Sequence, residues 1–423
     1  LTVSDSHITV NSSATDSAYG IFTGGGNATL NLSDSTISIM GASASRGYKK
    51  VGLMTKAGST ATINNLHILT AVDHSDGLYN GGGNLTADGL TIVATGNQSI
   101  GVVSAFPMAV TKISNADITM MGANSIGVAV FNSDIDLINS KIAVQGSNSL
   151  GISAEVNGDN SNIKMSGGEL TSSGAAVQVA SANTHIAFTD GVVVTPDNGV
   201  LLDVLSAGSV AFSADSGAVL NGDMRATTAG STTVTLGNNT SWHGSARNIA
   251  SLAMDNNASW TGAANSTGAV SMNGGSLWQV IDDSDIASLA LNDSTLAFST
   301  PNAGVYKTLT INGDYAGSNS QLMLNTELGD DTSATDKLVV RGDTSGHTDV
   351  VINNIGGHGA QTVQGIEIVQ VDGNSQGTFA NSQRIVAGSY AYFVRSGSTL
   401  DGANAKHWYL TSDYVQQQPT EPN

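Results

Sequence analysis

The chain repeats itself, and the repeat limits what it can fold into. Set under one another, "VSDSHITV" (3–10), "LSDSTISI" (32–39), "INNLHILT" (63–70), "LTADGLTI" (85–92), "ISNADITM" (113–120), "LINSKIAV" (137–144) and "MSGGELTS" (165–172) share one form. Each has an apolar residue, a small polar turn, then an alternating strand. The alternation points Ile8, Ile37, Ile68, Leu90, Ile118, Ile142 and Leu170 inward. A second motif follows at variable distance: "AYGIFT" (18–23), "KVGLMT" (50–55), "SIGVVS" (99–104), "SIGVAV" (125–130) and "SLGISA" (149–154). One unit is therefore a coil of short strands joined by tight turns. Its length of roughly 22 to 31 residues lies in the solenoid range and below the 40–45 residues of a propeller blade. Stacked coils hydrogen-bond every strand to the coils above and below and bury one apolar column. The expected fold is all-β, a right-handed parallel β-helix, with the hand taken from the general rule for parallel crossovers.

The period then shortens. "VTLGNNTSWHG" (234–244), "LAMDNNASWTG" (252–262), "VSMNGGSLWQV" (270–280) and "LALNDSTLAFS" (289–299) recur every 18 or 19 residues, setting Trp242, Trp260 and Trp278 eighteen apart. Measured against this bare coil, the earlier coils carry extra residues, mainly at 11–18, 40–50, 71–82, 96–98, 121–124 and 156–162. Insertions in a solenoid gather on one edge, so these segments read as loops walling a groove or ridge. The expected layout is 1–304 β-helix, with loop-bearing coils over 1–233 and short regular coils over 234–304, then a capping segment over 305–414 and a linker over 415–423.

Composition agrees with strands. Gly numbers 50 and Pro 5, and long helix formers are few. The absence of cysteine removes disulfides and thiolate metal sites. A net charge of −19 with only 12% charged residues argues against nucleic acid as a partner. There is no transmembrane stretch, and Leu1 opens no signal peptide, so the sequence reads as beginning after processing.

After about residue 304 the period breaks. "DKLVVRGDTSGHTDVVINNIGGHGAQTVQGIEIVQVDGNSQGTFA" (336–380), "RIVAGSYAYFVRSG" (384–397) and "KHWYLTSDY" (406–414) follow. This set resembles the autochaperone segment that closes the passenger domain of Gram-negative autotransporters, and the whole chain resembles an AIDA-type autotransporter adhesin. The resemblance implies a Cys-free passenger threaded through periplasm and outer membrane to the bacterial surface. It implies attachment to host matrix glycans or glycoproteins, or self-association between cells. It also implies a C-terminal cap, and "VQQQPTEPN" (415–423) leading to the protein's own outer-membrane β-barrel.

Candidate residues divide sharply from bland readings. Ser216 in "ADSGAV" lacks the residues of a serine-protease elbow, and a turn is the better reading. Asp282-Asp283 and His358 evoke the paired acids of polysaccharide-cleaving β-helices, but no partner motif accompanies them. Arg341-Gly342-Asp343 reads as a turn rather than a recognition tripeptide. His7 and His67 sit in equivalent slots two coils apart, too far to share a metal. No catalytic residue, metal or cofactor is expected. Binding is expected instead from two groups. Arg46, Tyr48, Lys49, Lys50 and Lys56 form the most positive local stretch, suited to sulfates and carboxylates of glycosaminoglycans. Asp73, Asp76, Asn80, Asn84, Asn97, Asn124, Asn148 and Asn157 occupy the polar loops, where they either line a ligand surface or simply make turns. Aligning "DNNASWTG" with "LNDSTLAFS" turns Trp260 outward, so the three tryptophans are expected as an exposed ladder, serving structure more than ligand; a register one residue away buries them. The function these readings favour is a surface adhesin for host matrix glycosaminoglycan or fibronectin-like protein. Cell-to-cell aggregation through paired β-helices stands second, and a polysaccharide-cleaving enzyme third.

Overall fold

The computed structural model describes residues 1–13, 16–43, 49–155, 159–205 and 208–414. Of the expected ligand residues, Arg46, Tyr48 and Asn157 lie outside the described residues. The described residues contain strands, turns and one short 3-10 turn, Gly397–Thr399. Two compact units result: Leu1–Thr235 with Asn239–Gly244, and Leu236–Asn238 with Ser245–Asn423.

The first unit is a parallel β-solenoid. Thr29–Gly41, Thr60–Thr70 and Asn84–Ala94 are long strands paired in parallel, one coil on the next. Each bends at a residue with positive φ: Asp34 at 46°, Asn65 at 52° and Gly89 at 69°. Asn115 (53°) and Asn139 (47°) continue the row. Asx and Gly tolerate this left-handed backbone best, which explains the small polar turn inside every aligned segment. Their side chains also bond along the stack: the Asn65 amide donates to Asp34 at 2.9 Å and the Asn115 amide to Asp88 at 2.7 Å.

Past the bend, Ile8, Ile37, Ile68, Ile92, Ile118, Ile142 and Leu170 stand in one register row. All but the terminal Ile8 are buried. Leu90 is the one misplaced member of the expected column. It pairs with Leu66 in the neighbouring row, and Ile92 takes its slot. A two-residue slip keeps a side chain on the same face, so burial alone does not reveal it.

The second motif builds a second parallel sheet, through Ala18–Thr23, Lys50–Lys56, Ser75–Gly81, Ile100–Ala105, Ile126–Phe131 and Leu150–Ala154. Before it runs a ladder of buried serines. The amides of Ser75, Ser99 and Ser125 donate to the hydroxyls of Ser99, Ser125 and Ser149 at 3.3, 3.2 and 2.9 Å. The ladder satisfies polar groups at a corner where the strands have turned away from each other. The glycine after it is equally constrained: a Cβ on Gly127 would stand 2.6 Å from the Gly151 carbonyl oxygen.

The second unit holds short coils and then the cap. Ser259–Gly262, Leu277–Val280 and Thr295–Phe298 stack in parallel, with Trp260 opposite Trp278 and Trp278 opposite Leu296. The tryptophans thus occupy the inward leucine slot. Trp260 and Trp278 are fully buried, their rings stacked at 4.4 Å and 9°, and the Trp278 indole N–H donates to Gly262 at 3.0 Å. In the first unit Trp242 is likewise fully buried, opposite Leu220, with its indole bonded to the Gly222 carbonyl at 2.9 Å. The exposed ladder is therefore corrected by one residue of register, and the buried indoles of Trp242 and Trp278 each have the carbonyl partner that burial requires.

At the C-terminal end, pairing changes direction. Ile366–Val371 pairs antiparallel with Trp408–Tyr414, which pairs antiparallel with Tyr390–Ser396, itself paired with Ile385–Ala387. This meander covers a strand edge that a solenoid end would otherwise expose. Phe379 packs between Tyr315 and Trp408 beneath it. Glu367 ties the closure: Lys337 donates to it at 2.9 Å, and His407 Nδ1 lies 2.8 Å from its other oxygen. Burial pushes the Glu367 carboxyl up, but the bonds from Lys337 and His407 outweigh it and hold the group below its ordinary value. A depressed folded-state value means the stabilisation is present above the unfolded value of about 4.3 and is lost as pH falls through the folded one. The denaturation midpoint of the cap should therefore drop between pH 5 and 3 by more in the native chain than in Glu367→Gln, an expectation checked by denaturant titration at a series of pH values.

Candidate functional site

The structure separates the residues expected to act together. Lys50 is fully buried, its ammonium donating to the Ser13 and Asp16 carbonyls. Lys49 is paired with Asp76, at 2.9 Å, and lies 5.1 Å from the centre of the Tyr79 ring. Asp76 is itself buried; burial pushes its carboxyl up against the pull of Lys49. Only Lys56 of the described lysines in this stretch is exposed with no acidic partner among the described residues. A basic strand inside a solenoid has alternate residues turned inward, so a linear cluster does not become a patch.

The polar loops are turns in register rather than walls. His74, Gln98, Asn124 and Asn148 all take positive φ, 53–55°. Their coils interlock: the His74 amide donates to the Asn97 carbonyl at 2.9 Å, that of Gln98 to Ala123 at 2.8 Å, and that of Asn124 to Ser147 at 2.8 Å. Asp73 accepts from the Asn97 amide and the Asn97 side chain from the Ala123 amide, so both serve the stack. Asn80 is fully buried, bonding Gly83 both ways and reaching Val110 and Thr111. Asp343 of the Arg-Gly-Asp tripeptide is likewise committed, accepting from the Asn374 amide and side chain at 2.7 and 3.1 Å. Ser216 sits in a left-handed turn at φ 53°.

Asn84 differs. It is exposed at the start of a long strand and belongs to an outward register row: Thr60, Asn84, Val110, Asp134, Asn162, His185, Ala211. Two residues along runs a second outward row: Thr86, Lys112, Asp136, Lys164, Ala187, Ser213. From Val110 onward the two rows line a shallow groove of about 470 Å³ that continues to Thr233 and Thr235. Its floor is the paired backbone at Ile135, Ile163, Ile186 and Phe212, whose side chains turn into the core. Asp134 accepts from the Asn162 amide at 2.6 Å, which fixes both side chains.

Successive coils are about 4.8 Å apart, so each presents one or two polar side chains at that interval. The backbone is already paired on both sides, leaving side chains to do the recognition. The sequence signal is the alternation "DID" (134–136), "NIK" (162–164) and "HIA" (185–187), whose polar members face out while the shared Ile faces in.

Residues 284–394 match the family model Autochaperone Domain Type 1. Among curated proteins, YdeU of Escherichia coli is 47% identical over 114 residues, 27% of this chain and 24% of its own length. The adhesin BmaC autotransporter of Brucella suis is 43% identical over 126 residues, 28% of this chain and 4% of its own. The autotransporter adhesin AIDA-I of Escherichia coli is 44% identical over 105 residues, 25% and 8% respectively. The matched stretches thus span a quarter or less of these relatives. Among solved structures, the autotransporter UpaB of Escherichia coli aligns over 98% of this chain and 100% of that one, with TM-score 0.50 at 15% identity, a likeness of fold.

The parallel solenoid closed by an antiparallel cap has the fold of the autotransporter UpaB. The chain carries a type 1 autochaperone segment and resembles the passenger domains of AIDA-type autotransporter adhesins. Passenger domains of this class are exported through the outer membrane to the cell surface.

Proposed function

We propose that the chain is a surface adhesin whose first unit binds an extended, weakly charged glycan of the host matrix along the two outward rows. The observation that carries this reading is the groove itself. Asp134, Asp136, Asn162, Lys164 and His185 stand in register over a floor of paired backbone, presenting donors and acceptors at coil spacing. A polysaccharide repeats hydroxyls on a comparable length scale. Several weak contacts on one rigid scaffold add up through multivalency.

Charge refines the ligand class. The groove mixes two Asp with Lys164 in a chain of net charge −19, which disfavours sulfated polymers. Of the basic cluster behind the glycosaminoglycan reading, Lys50 is buried and Lys49 is bonded to Asp76, which favours neutral or sparsely charged matrix glycans. The test is glycan-array binding of the native chain beside Asp134→Ala/Asn162→Ala/Lys164→Ala. These are exposed positions where substitution costs little stability. Affinity for the preferred glycan should fall by about tenfold or more, equivalent to about 1.4 kcal/mol, and change little with salt. Preferred capture of heparin with steep salt dependence would refute the proposal.

A further inference from the structure

A second surface of the first unit, on the sheet built from the glycine motif, has features that the groove does not use. In this sheet Lys56, Gly81, Ala105 and Phe131 form one register row. Two small residues between two large ones leave a dip. The short segment after Ala105 crosses it, and Phe106 and Pro107 divide it into two hollows. One, of about 270 Å³, is lined by Tyr79, Val103 and Phe131 with Lys49 at its edge. The other, of about 510 Å³, is lined by Gly81, Gly82 and Met108 with Lys56 at its edge.

The dividing residue is held at a cost. Phe106 has φ 79° and is 57% exposed, and Met108 is 74% exposed. A bulky non-glycine residue in the left-handed region is strained, and an aromatic turned to water gains nothing from burial to offset that. The conformation is fixed by the Phe106 amide bonding to the Phe131 carbonyl at 2.9 Å and by Ala109 closing the turn on Phe106 at 2.9 Å. A glycine would make the same turn without strain. Folding alone does not call for phenylalanine here.

We infer that this divided dip is a docking site for an acidic, apolar protein segment lying across Phe106. One apolar side chain enters each hollow, and carboxylates of the segment meet Lys49 and Lys56. Charge complementarity selects this occupant. The chain has only 15 Lys and Arg against 34 Asp and Glu, yet each hollow has a lysine at its edge. Lys56 has no acidic partner among the described residues, and the Lys49 side chain is half exposed, with donors left beyond its bond to Asp76. Concave hollows hold side chains, whereas a lipid surface is met by a protruding wedge.

The probe is an array of ten-residue peptides with two Phe, Trp, Leu or Ile flanked by Asp and Glu, beside the same peptides with Lys and Arg flanks, and phosphatidylglycerol vesicles. Hits are titrated against the native chain, Phe106→Gly/Met108→Ser and Lys56→Glu. The expected result is retention of the acidic set alone. Phe106→Gly/Met108→Ser should lose tenfold or more in affinity with its melting midpoint unchanged or raised, and Lys56→Glu should weaken the acidic set and admit the basic one. The inference is overturned if no acidic peptide binds, if the basic set binds native chain equally, if vesicles bind in place of peptides, or if Phe106→Gly/Met108→Ser lowers the melting midpoint, which would make these packing residues.

Discussion

Trp260→Ala should lower the stability of the second unit by about 3–5 kcal/mol, as for large aromatic truncations in cores. The side chain is fully buried and stacked on Trp278, one coil along. Removing it leaves a cavity between coils held in place by backbone pairing, so the walls collapse only partly. It also takes away the stacking partner of Trp278. Trp260→Leu should cost clearly less, because Leu296 occupies the same row two coils on. Trp260→Ala/Trp278→Ala should fall short of the sum of the single effects, since the two rings share a contact. Guanidinium denaturation followed by circular dichroism measures all four chains. Were the ladder outward, each substitution would cost within about 0.5 kcal/mol.

A chain ending at Ala380 should fail to form a stable second unit. Ending there removes the three antiparallel cap strands Ile385–Ala387, Tyr390–Ser396 and Trp408–Tyr414, including Leu410, which faces Ile366, and Trp408, which faces Val369. It also removes Tyr392, whose hydroxyl donates to the Gly329 carbonyl at 2.8 Å and accepts from the Ala360 amide at 3.0 Å. The strand Ile366–Val371 would then present an apolar open edge, the feature that templates aggregation. Refolding from denaturant, read by size-exclusion chromatography, should return most of the full chain as monomer and most of the shortened chain as aggregate. Equal monomer yields would show that the meander is an ornament on a self-sufficient coil.

Much of this architecture was legible in the sequence because a solenoid writes its period directly. The polar bend, the apolar slot after it and the glycine motif all repeat, and each has a physical cause in the stack. What escaped was register at the level of one or two residues. "DNNASWTG" aligns with "LNDSTLAFS" in two ways one residue apart, and only backbone pairing decides that Trp260 and not Ser259 takes the leucine slot. Leu90 and Ile92 are both apolar and both inward, so pattern could not rank them. The basic stretch failed for another reason. Sequence proximity places Lys49 and Lys50 together, while the strand sends one inward to the Ser13 and Asp16 carbonyls and the other onto Asp76. The groove residues from Val110 to Ser213 lie before or beyond the aligned segments, on coils more than twenty residues apart, and carry no motif. They become a site only once coils are stacked.

The most direct measurement of the central claim is carboxylate footprinting of the native chain with a carbodiimide and glycine ethyl ester, with and without the glycan preferred on the array. Asp134 and Asp136 line the groove, while Asp117 is exposed in another row of the same sheet, opposite Thr91 and Lys141. Saturating glycan should reduce labelling of Asp134 and Asp136 severalfold and leave Asp117 unchanged. Binding that persists while Asp134 and Asp136 label at their free rate would contradict the account.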